Sequence, residues 1–406
     1  MSLSSHVQQR KHQSLVSQRV SRISSSGIRK FFDLLASLEG VISLGVGEPD
    51  FATPWHISEA AIYSLEKGYT MYTSNSGIPE LRQELSRYLK DNYNLTYDPN
   101  GELLITVGVS EGLDLAMRAI LNPGDEVIMP DPCYVSYEPG VILAGGKPIK
   151  VPTSQENNFE ISAADIEPRL TDKTKAILIG YPANPTGAVM AKDKLSQIAE
   201  LARRHQLLVV SDEIYAKLVY GVEHTCFASL LKENTILLGG FSKAYAMTGW
   251  RIGYTAASRE IISAMTKIHQ YTLMCAPTMA QVAAVEALRS GESSVLEMRQ
   301  AYNRRRQVMV KGLNDIGLTC FEPRGAFYAF PSIVSTGMAS EEFAEKLLVE
   351  QKVAVVPGTA FGQCGEGYVR CCYATSLTDI EEALSRMKRF VARHRGDKNK
   401  RGASPS

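Results

Sequence analysis

The chain has 406 residues, and its 44 lysines and arginines nearly balance its 43 aspartates and glutamates. A molecule with almost no net charge generates no overall field that favours nucleic acid or an anionic membrane, so we expect small molecules as partners. A composition of 44% hydrophobic and 21% charged residues is typical of a globular protein and excludes a disordered or fibrous one. The length predicts two folded units.

The seven cysteines are scattered and contain no Cys-x-x-Cys pair. This pattern indicates neither a disulfide framework nor a zinc cluster, so we expect no metal and a reducing compartment such as the cytoplasm. No apolar run approaches the roughly 20 residues that a membrane span needs, which predicts no membrane partner.

The N-terminus is basic. The first 32 residues contain six lysines and arginines and no acidic residue, a composition shared by organelle transit peptides. We interpret it as a polar arm, because apolar positions at residues 26–36 already follow a helical spacing. Organelle targeting stays open as the alternative.

Short apolar runs alternate with helix-like segments in the first two thirds of the chain. Amphipathic helices are predicted over residues 110–121 and 192–205. Repetition of strand and helix predicts a mainly parallel sheet with helices on both sides, that is, an α/β fold. The predicted buried strands are residues 103–107, 126–129, 176–179, 207–210 and 236–238.

The pattern changes beyond about residue 290, where the predicted elements form a smaller α+β unit. They are helices over 298–313, 341–348 and 377–391, and strands over 353–356 and 368–373. Because the N-terminal arm could pack on this unit, we predict a second domain built from both chain ends. The predicted division is an arm with part of the small domain at 1–48, a large domain at 49–292, a small domain at 293–395 and a flexible tail at 396–406.

Polar residues follow the predicted strands, where ligands of open α/β sheets bind. Gly108, Val109 and Ser110 come between a strand and a helix, so that free N–H groups form a cradle suited to phosphate. The same residues also fit an ordinary helix start. Asn184 lies in a rigid Pro-containing turn, and Asp212 precedes Tyr215 by three residues after the fourth strand.

The segment GGFSKAYAMTGWRIGY at residues 239–254 follows the fifth predicted strand and contains Lys243 and Arg251. Apolar surroundings lower the pKa of a lysine and make its amine a usable nucleophile. An amine, a carboxylate, a phenol, an amide and a phosphate cradle at one sheet edge match pyridoxal phosphate. The amine would bond the aldehyde, Arg251 and the cradle would hold the phosphate, and Asp212 would keep the ring nitrogen protonated.

Motifs over nearly the whole chain strengthen this interpretation. ISLGVGEPDFATP, YTSNSGIPELR, NPTG, SDEIY, FSKAYAMTGWRIGY, PRGAFYAFP and GEGYVRCCYA follow one another in this order. With them the sequence resembles class I/II aminotransferases of the pyridoxal-phosphate fold type I superfamily, and especially the microbial aspartate, aromatic and N-acetyl-diaminopimelate aminotransferases. The resemblance implies a seven-stranded, mainly parallel sheet in the large domain and a homodimer with shared active sites.

The resemblance also implies ping-pong transfer of an amino group from an L-amino acid to a 2-oxo acid such as 2-oxoglutarate. Lys243 would bind the cofactor and move the Cα proton, and Arg370 would pair with the substrate α-carboxylate, helped by Asn184 and Gly47. The other implied cofactor contacts are Asp212 to the ring nitrogen, Tyr215 and Asn184 to the ring oxygen, Tyr134 on the ring face, Val109, Ser110, Ser242 and Arg251 around the phosphate, and Tyr72 from the neighbouring subunit.

Substrate choice stays open. Some aspartate-using relatives carry a lysine where this chain has Ser110, so strict aspartate specificity is not expected. Arg29 and Lys30, or His269 and Tyr271, could contact substrate side chains, and the last two equally fit a helix interface. A C–S β-lyase on the same scaffold is the main alternative. A cofactor-sensing regulator is disfavoured, because the roughly 40 residues that precede the first motif leave no room for a DNA-binding module.

Overall fold

The computed structural model describes residues 15–23 and 39–394. Its centre is a seven-stranded sheet, and one short strand precedes the sheet in the sequence. The strands in this part of the chain are β1 (Ile42–Ser43), β2 (Leu103–Thr106), β3 (Glu126–Asp131), β4 (Lys147–Pro152), β5 (Thr174–Ile179), β6 (Leu208–Asp212), β7 (Thr235–Gly240) and β8 (Gly253–Ala256).

The spatial order of the central sheet is β2-β8-β7-β6-β5-β3-β4. Strand β8 runs antiparallel to both of its neighbours, and the pairs between β7 and β4 are parallel. The carboxyl ends of β2, β5, β6 and β7 therefore meet at one edge. This mainly parallel α/β sheet confirms the predicted fold class.

Helices pack on both faces because their apolar residues recur on one side. In the helix from Lys192 to Arg204, for example, Leu195, Ile198 and Ala202 are buried. The helices described up to residue 290 are α1 (Gln18–Ser21), α2 (Trp55–Glu66), α3 (Pro79–Tyr93), α4 (Gly108–Ile120), α5 (Tyr137–Leu143), α6 (Ala163–Ile166), α7 (Lys192–Arg204), α8 (Arg259–Thr272) and α9 (Thr278–Ser290).

The remaining elements form a second cluster around their own core. They are α10 (Glu292–Asp315), β9 (Tyr328–Ala329), α11 (Ser340–Gln351), β10 (Val353–Ala354), β11 (Val356–Pro357), β12 (Val369–Cys372) and α12 (Leu377–His394). Strand β1 pairs in parallel with β10, and Leu44 joins the same core. Residues from both chain ends thus build the smaller α+β unit. The exact domain boundaries stay a prediction.

The five predicted central strands are all present, with ends shifted by a few residues. Strands β4 and β8 were not predicted, since Lys-Pro-Ile-Lys-Val-Pro and Gly-Tyr-Thr-Ala lack a continuous apolar run. The single strand predicted over 353–356 is wrong. It is two short strands, because β10 pairs with β1 while β11 pairs with β12 in another sheet.

Two predictions fall outside the described residues, namely the helical spacing at 26–36 and the tail at 396–406. Within the described ranges, no helix combines the length and apolar character that a bilayer span requires. The same part of the chain contains no group of three or more histidine, cysteine or acidic side chains placed to hold a metal ion.

Candidate active site

Lys243 lies in the loop after β7, at the edge where the parallel strands end. Its Nζ donates a hydrogen bond to the Gly47 carbonyl oxygen at 2.7 Å. The ring centroids of Tyr215 and Phe327 lie 6.0 and 5.8 Å from the same nitrogen. Burial lowers the pKa of Lys243 to about 8, partly opposed by the charge of Glu48. The amine is therefore available as a nucleophile or base near neutral pH.

Asp212 ends β6 and is buried. Its Oδ2 accepts a hydrogen bond from the Tyr137 hydroxyl at 2.9 Å, and its Oδ1 accepts one from the Ile214 N–H at 3.2 Å. Burial raises the pKa of Asp212 to about 6, although both hydrogen bonds oppose the rise. A carboxyl group that is buried against neutral donors fits a cationic ring nitrogen, whose charge would compensate its own.

Arg370 on β12 is buried, with 4% of its surface exposed. Its Nη1 donates to Asn184 Oδ1 at 2.9 Å and its Nη2 donates to the Gly45 carbonyl at 2.6 Å. The Nε–H is buried and lacks an acceptor in the described part of the chain. The rings of Tyr328 and Phe361 lie 4.5 and 4.9 Å from the guanidinium carbon. A buried cation among neutral groups suits a carboxylate ligand.

The turn from β2 into α4 is closely packed against β8, and glycine is favoured at Gly108 in the turn and at Gly253 at the start of β8. A Cβ atom on Gly108 would lie 2.6 Å from Arg251 Nη2, and one on Gly253 would lie 2.8 Å from the Val109 nitrogen. Gly108 also has a φ angle of +76°. Arg251 is thus held against the N-terminal turn of α4, where free N–H groups and the helix dipole favour phosphate.

The site residues therefore fit pyridoxal phosphate. Comparison with known proteins agrees, because the family model for aminotransferase class I and II matches residues 39–387. The chain belongs to this family. It is a pyridoxal-phosphate-dependent aminotransferase, with amino-acid and 2-oxo-acid substrates.

Individual relatives resemble this aminotransferase over nearly its whole length. It is 48% identical to an aspartate aminotransferase of Pyrococcus abyssi, over 93% of this chain and 98% of the relative. It is 47% identical to aromatic-amino-acid aminotransferase 2 of Thermococcus litoralis, with the same coverage. A solved structure of Thermus thermophilus aspartate aminotransferase with maleate has a TM-score of 0.89 and 39% identity, covering 93% of this chain and 100% of that one.

The aminotransferase brings most of the predicted site residues together. Lys243 contacts Gly47, Arg370 contacts Asn184, and Tyr134 lies edge-to-face with Tyr137 at 5.6 Å between ring centroids. Ser110 lies in the first turn of α4, and Ser242 is buried directly before the lysine. Tyr72, in contrast, is 80% exposed.

Several polar contacts of the site were not predicted from the sequence. Tyr137 bonds Asp212, and Tyr328 lies between Tyr215 and Arg370. The sequence signals for them are the closeness of Tyr137 to the predicted Tyr134 in PCYVSYEPG and the presence of Tyr328 in the motif PRGAFYAFP. Such a signal is weak, because aromatic residues are more often part of a core.

His269 and Tyr271 differ in their surroundings. His269 is fully buried, and its Nδ1 lies 2.5 Å from Glu111 Oε1. Glu111 Oε2 also accepts a hydrogen bond from the Val107 N–H at 2.5 Å, directly before the cradle. His269 therefore occupies the interface between α4 and α8, whereas Tyr271 is 86% exposed. Arg29 and Lys30 lie outside the described residues.

Proposed function

We propose that Lys243 is the residue to which pyridoxal phosphate is covalently attached, and that the surrounding side chains hold its ring and its phosphate. When bound, the cofactor supplies an electron sink that stabilises negative charge at the substrate Cα. The proposed contacts are Asp212 to the ring nitrogen, Asn184 and Tyr215 to the ring oxygen, Tyr134 to the ring face, and Val109, Ser110, Ser242 and Arg251 to the phosphate.

We assign the acid–base steps to Lys243. With a pKa of about 8, its amine can take the Cα proton and return it to a neighbouring atom near neutral pH. Asp212 keeps the ring nitrogen protonated, because separating a buried carboxylate from a cation costs free energy. Buried aromatic rings around the lysine exclude water that would compete for the proton.

The proposed substrate class rests on the surroundings of Arg370. Its buried guanidinium has no ion-pair partner within the described residues, and one N–H is left without an acceptor. We infer that the α-carboxylate of an L-amino acid, and then that of 2-oxoglutarate, provides the missing charge in ping-pong order. Asn184 and the backbone at Gly47 assist at the same place.

The donor side chain is left open by these contacts. Relatives are named for aspartate and for aromatic amino acids, and one solved relative contains maleate, a dicarboxylate. Because Ser110 supplies no cation for a second carboxylate, we propose a donor range that is not restricted to aspartate. Tyr271 remains a candidate contact to the donor side chain.

We also propose a homodimer in which Tyr72 reaches the phosphate of the neighbouring subunit. Large apolar side chains on α2 and the following loop are exposed, and such patches mark interfaces. They are Trp55, Ile62, Tyr63, Leu65, Tyr69, Met71 and Tyr72. The seven cysteines are all free, which favours a reducing compartment such as the cytoplasm.

A donor panel tests the proposed function. Purified protein is incubated with 2-oxoglutarate and with aspartate, aromatic amino acids, alanine or a diaminopimelate-type donor, and glutamate is measured. We expect glutamate with at least one donor. Absence of glutamate with every donor would contradict the proposal. Release of pyruvate and ammonia from a β-substituted amino acid without any acceptor would favour the β-lyase instead.

A further inference from the structure

Tyr328 on β9 connects two groups of the site that come from different parts of the chain. Its hydroxyl lies 2.7 Å from the hydroxyl of Tyr215, which follows β6. Its ring centroid lies 4.5 Å from the guanidinium carbon of Arg370 on β12. All three side chains are buried.

The position of the Tyr328 hydroxyl is fixed from a third side. A Cβ atom on Gly47 would lie 2.6 Å from it, and the Gly47 carbonyl oxygen, the competing acceptor for its proton, lies 3.5 Å away, farther than the Tyr215 oxygen at 2.7 Å. The Tyr215 and Phe327 rings pack edge-on around the Tyr328 ring at 5.8 and 4.9 Å between centroids. The hydroxyl therefore has little room to move away from Tyr215.

The direction of the hydrogen bond follows from the number of protons. A phenol has a single O–H to donate. If Tyr215 donates its proton to the ring oxygen of the cofactor, then Tyr328 must donate to the Tyr215 oxygen. Hydroxyls in such a chain polarise one another, so each becomes a stronger donor. A phenol that receives a hydrogen bond in this way is also held in one orientation.

We propose that Tyr328 is a positioning residue with two separable actions. Its hydroxyl keeps Tyr215 in the orientation that donates to the cofactor, and its ring keeps the Arg370 guanidinium in place for a substrate carboxylate. This inference rests on the proposed function. It assigns the two actions to different atoms of one side chain. Removing the hydroxyl and removing the ring should therefore produce different defects.

The first action is visible in the light absorption of the holoenzyme. A donor to the ring oxygen favours the deprotonated form of the cofactor bound to Lys243, so weakening that donor raises the pKa of the chromophore. The charged and titratable groups around Lys243 include Glu48, Cys372, Arg370, Arg251 and the Tyr215 phenol. With Asp212, they are all retained in Tyr328→Phe.

In the experiment, the visible absorbance of each holoenzyme is titrated with pH, and kcat and KM are measured. Tyr328→Phe is expected to raise the chromophore pKa by about 0.3 to 0.6. Its KM should stay within about twofold, because the ring over Arg370 is kept. Tyr328→Leu is expected to raise the chromophore pKa similarly and KM by about 3- to 30-fold.

Two control variants distinguish these effects from a general loss of rigidity around the site. Tyr373→Phe removes another buried hydroxyl, which donates to the Ala326 carbonyl at 3.3 Å, and it should leave the chromophore pKa unchanged. Phe361→Leu removes the second ring near Arg370 and should raise KM without moving that pKa.

The inference is overturned if Tyr215→Phe raises the chromophore pKa while Tyr328→Phe leaves it at the wild-type value. It is also overturned if Tyr328→Phe and Tyr373→Phe shift it equally. A wild-type protein that binds no cofactor at Lys243 would instead overturn the proposed function. The two failures are therefore distinguishable.

Discussion

Asp212 and Glu213 are adjacent and both buried, yet their carboxyl groups have different partners in the protein. Glu213 has three partners within the protein: its Oε2 lies 2.7 Å from His224 Nε2, and its Oε1 accepts from the Ser211 hydroxyl at 3.0 Å and the Phe227 N–H at 2.8 Å. Among the described residues, the hydrogen bonds to Asp212 come from the neutral Tyr137 hydroxyl and Ile214 N–H, and burial raises its pKa to about 6 although the nearby charge of Lys243 opposes the rise. All partners of the Glu213 carboxylate belong to the protein, whereas for Asp212 we propose a ligand cation as the missing partner.

Two buried arginines show the same difference. Arg306 donates to Glu322 at 2.9 Å and to Asn303 at 3.0 Å, so its charge has a carboxylate partner. Arg370 has only neutral acceptors in the described part of the chain. Buried charged groups without an oppositely charged partner therefore lie where ligands are expected, and those with such a partner stabilise the fold. Each of the following substitutions tests one side of this contrast.

Lys243→Ala should have the largest effect. The variant loses both the covalent attachment and the proton carrier, so we expect turnover to fall by at least about 10³-fold. Lys217→Ala is the matched control, because Lys217 pairs with Glu292 at 2.8 Å outside the site. Glutamate formation is the measurement. Undiminished turnover of Lys243→Ala would remove this lysine from the mechanism.

Arg370→Leu should lower kcat/KM by about 10² to 10³-fold, since it leaves a substrate carboxylate unpaired in a buried site. Arg370→Lys should recover only part of this loss, because an ammonium lacks the planar fork. In contrast, Arg306→Leu should destabilise the fold while the folded fraction keeps its kcat/KM. Equal kcat/KM values for the two leucine variants would contradict the contrast.

Glu213→Gln should reduce the free energy of unfolding by about 1 to 3 kcal/mol, because the buried groups that contact the Glu213 carboxylate then face a neutral amide, which accepts fewer and weaker hydrogen bonds. Urea unfolding of the apoprotein measures this change. The comparison with Asp212→Asn is the control, as it changes the neighbouring residue in the same chemical way. The contrast fails if Asp212→Asn is the more destabilising of the two.

Asp212→Asn should stabilise the apoprotein at pH 7 by about 2 to 3 kcal/mol. Folding raises the pKa of Asp212 from 3.8 to about 6, so the folded state holds its proton more tightly. The stability that the folded state gains by holding this proton more tightly is fully present below pH 3.8 and is lost as the pH rises through about 6. The stability gain of the variant should therefore grow between pH 4 and 7. A gain that is independent of pH would contradict the assignment.

The fold was largely readable from the sequence because buried parallel strands need continuous apolar residues. The run Ile177, Leu178 and Ile179 in β5 shows this directly. Strand β8 was missed because its Gly253 is required by a close backbone approach and carries no apolar signal. The break at Val355 was missed because it depends on which distant strands pair with β10 and β11.

The positions of Lys243 and Asp212 at strand ends were predictable from the sequence, and their roles stay a proposal. The contacts that support these residues were not predictable, because they join positions far apart in the chain. Tyr137 and Asp212 are 75 residues apart, and Tyr215 and Tyr328 are 113 apart. Neither pair has a sequence spacing that links its members, so only the folded arrangement reveals them.

Borohydride reduction of the native protein, followed by peptide mapping, tests the central claim most directly. If the uncompensated amine at Lys243 carries the cofactor, reduction should bleach the yellow chromophore and fix the pyridoxyl group to the peptide that contains Lys243. Recovery of that peptide unmodified, from protein saturated with pyridoxal phosphate, would contradict the claim.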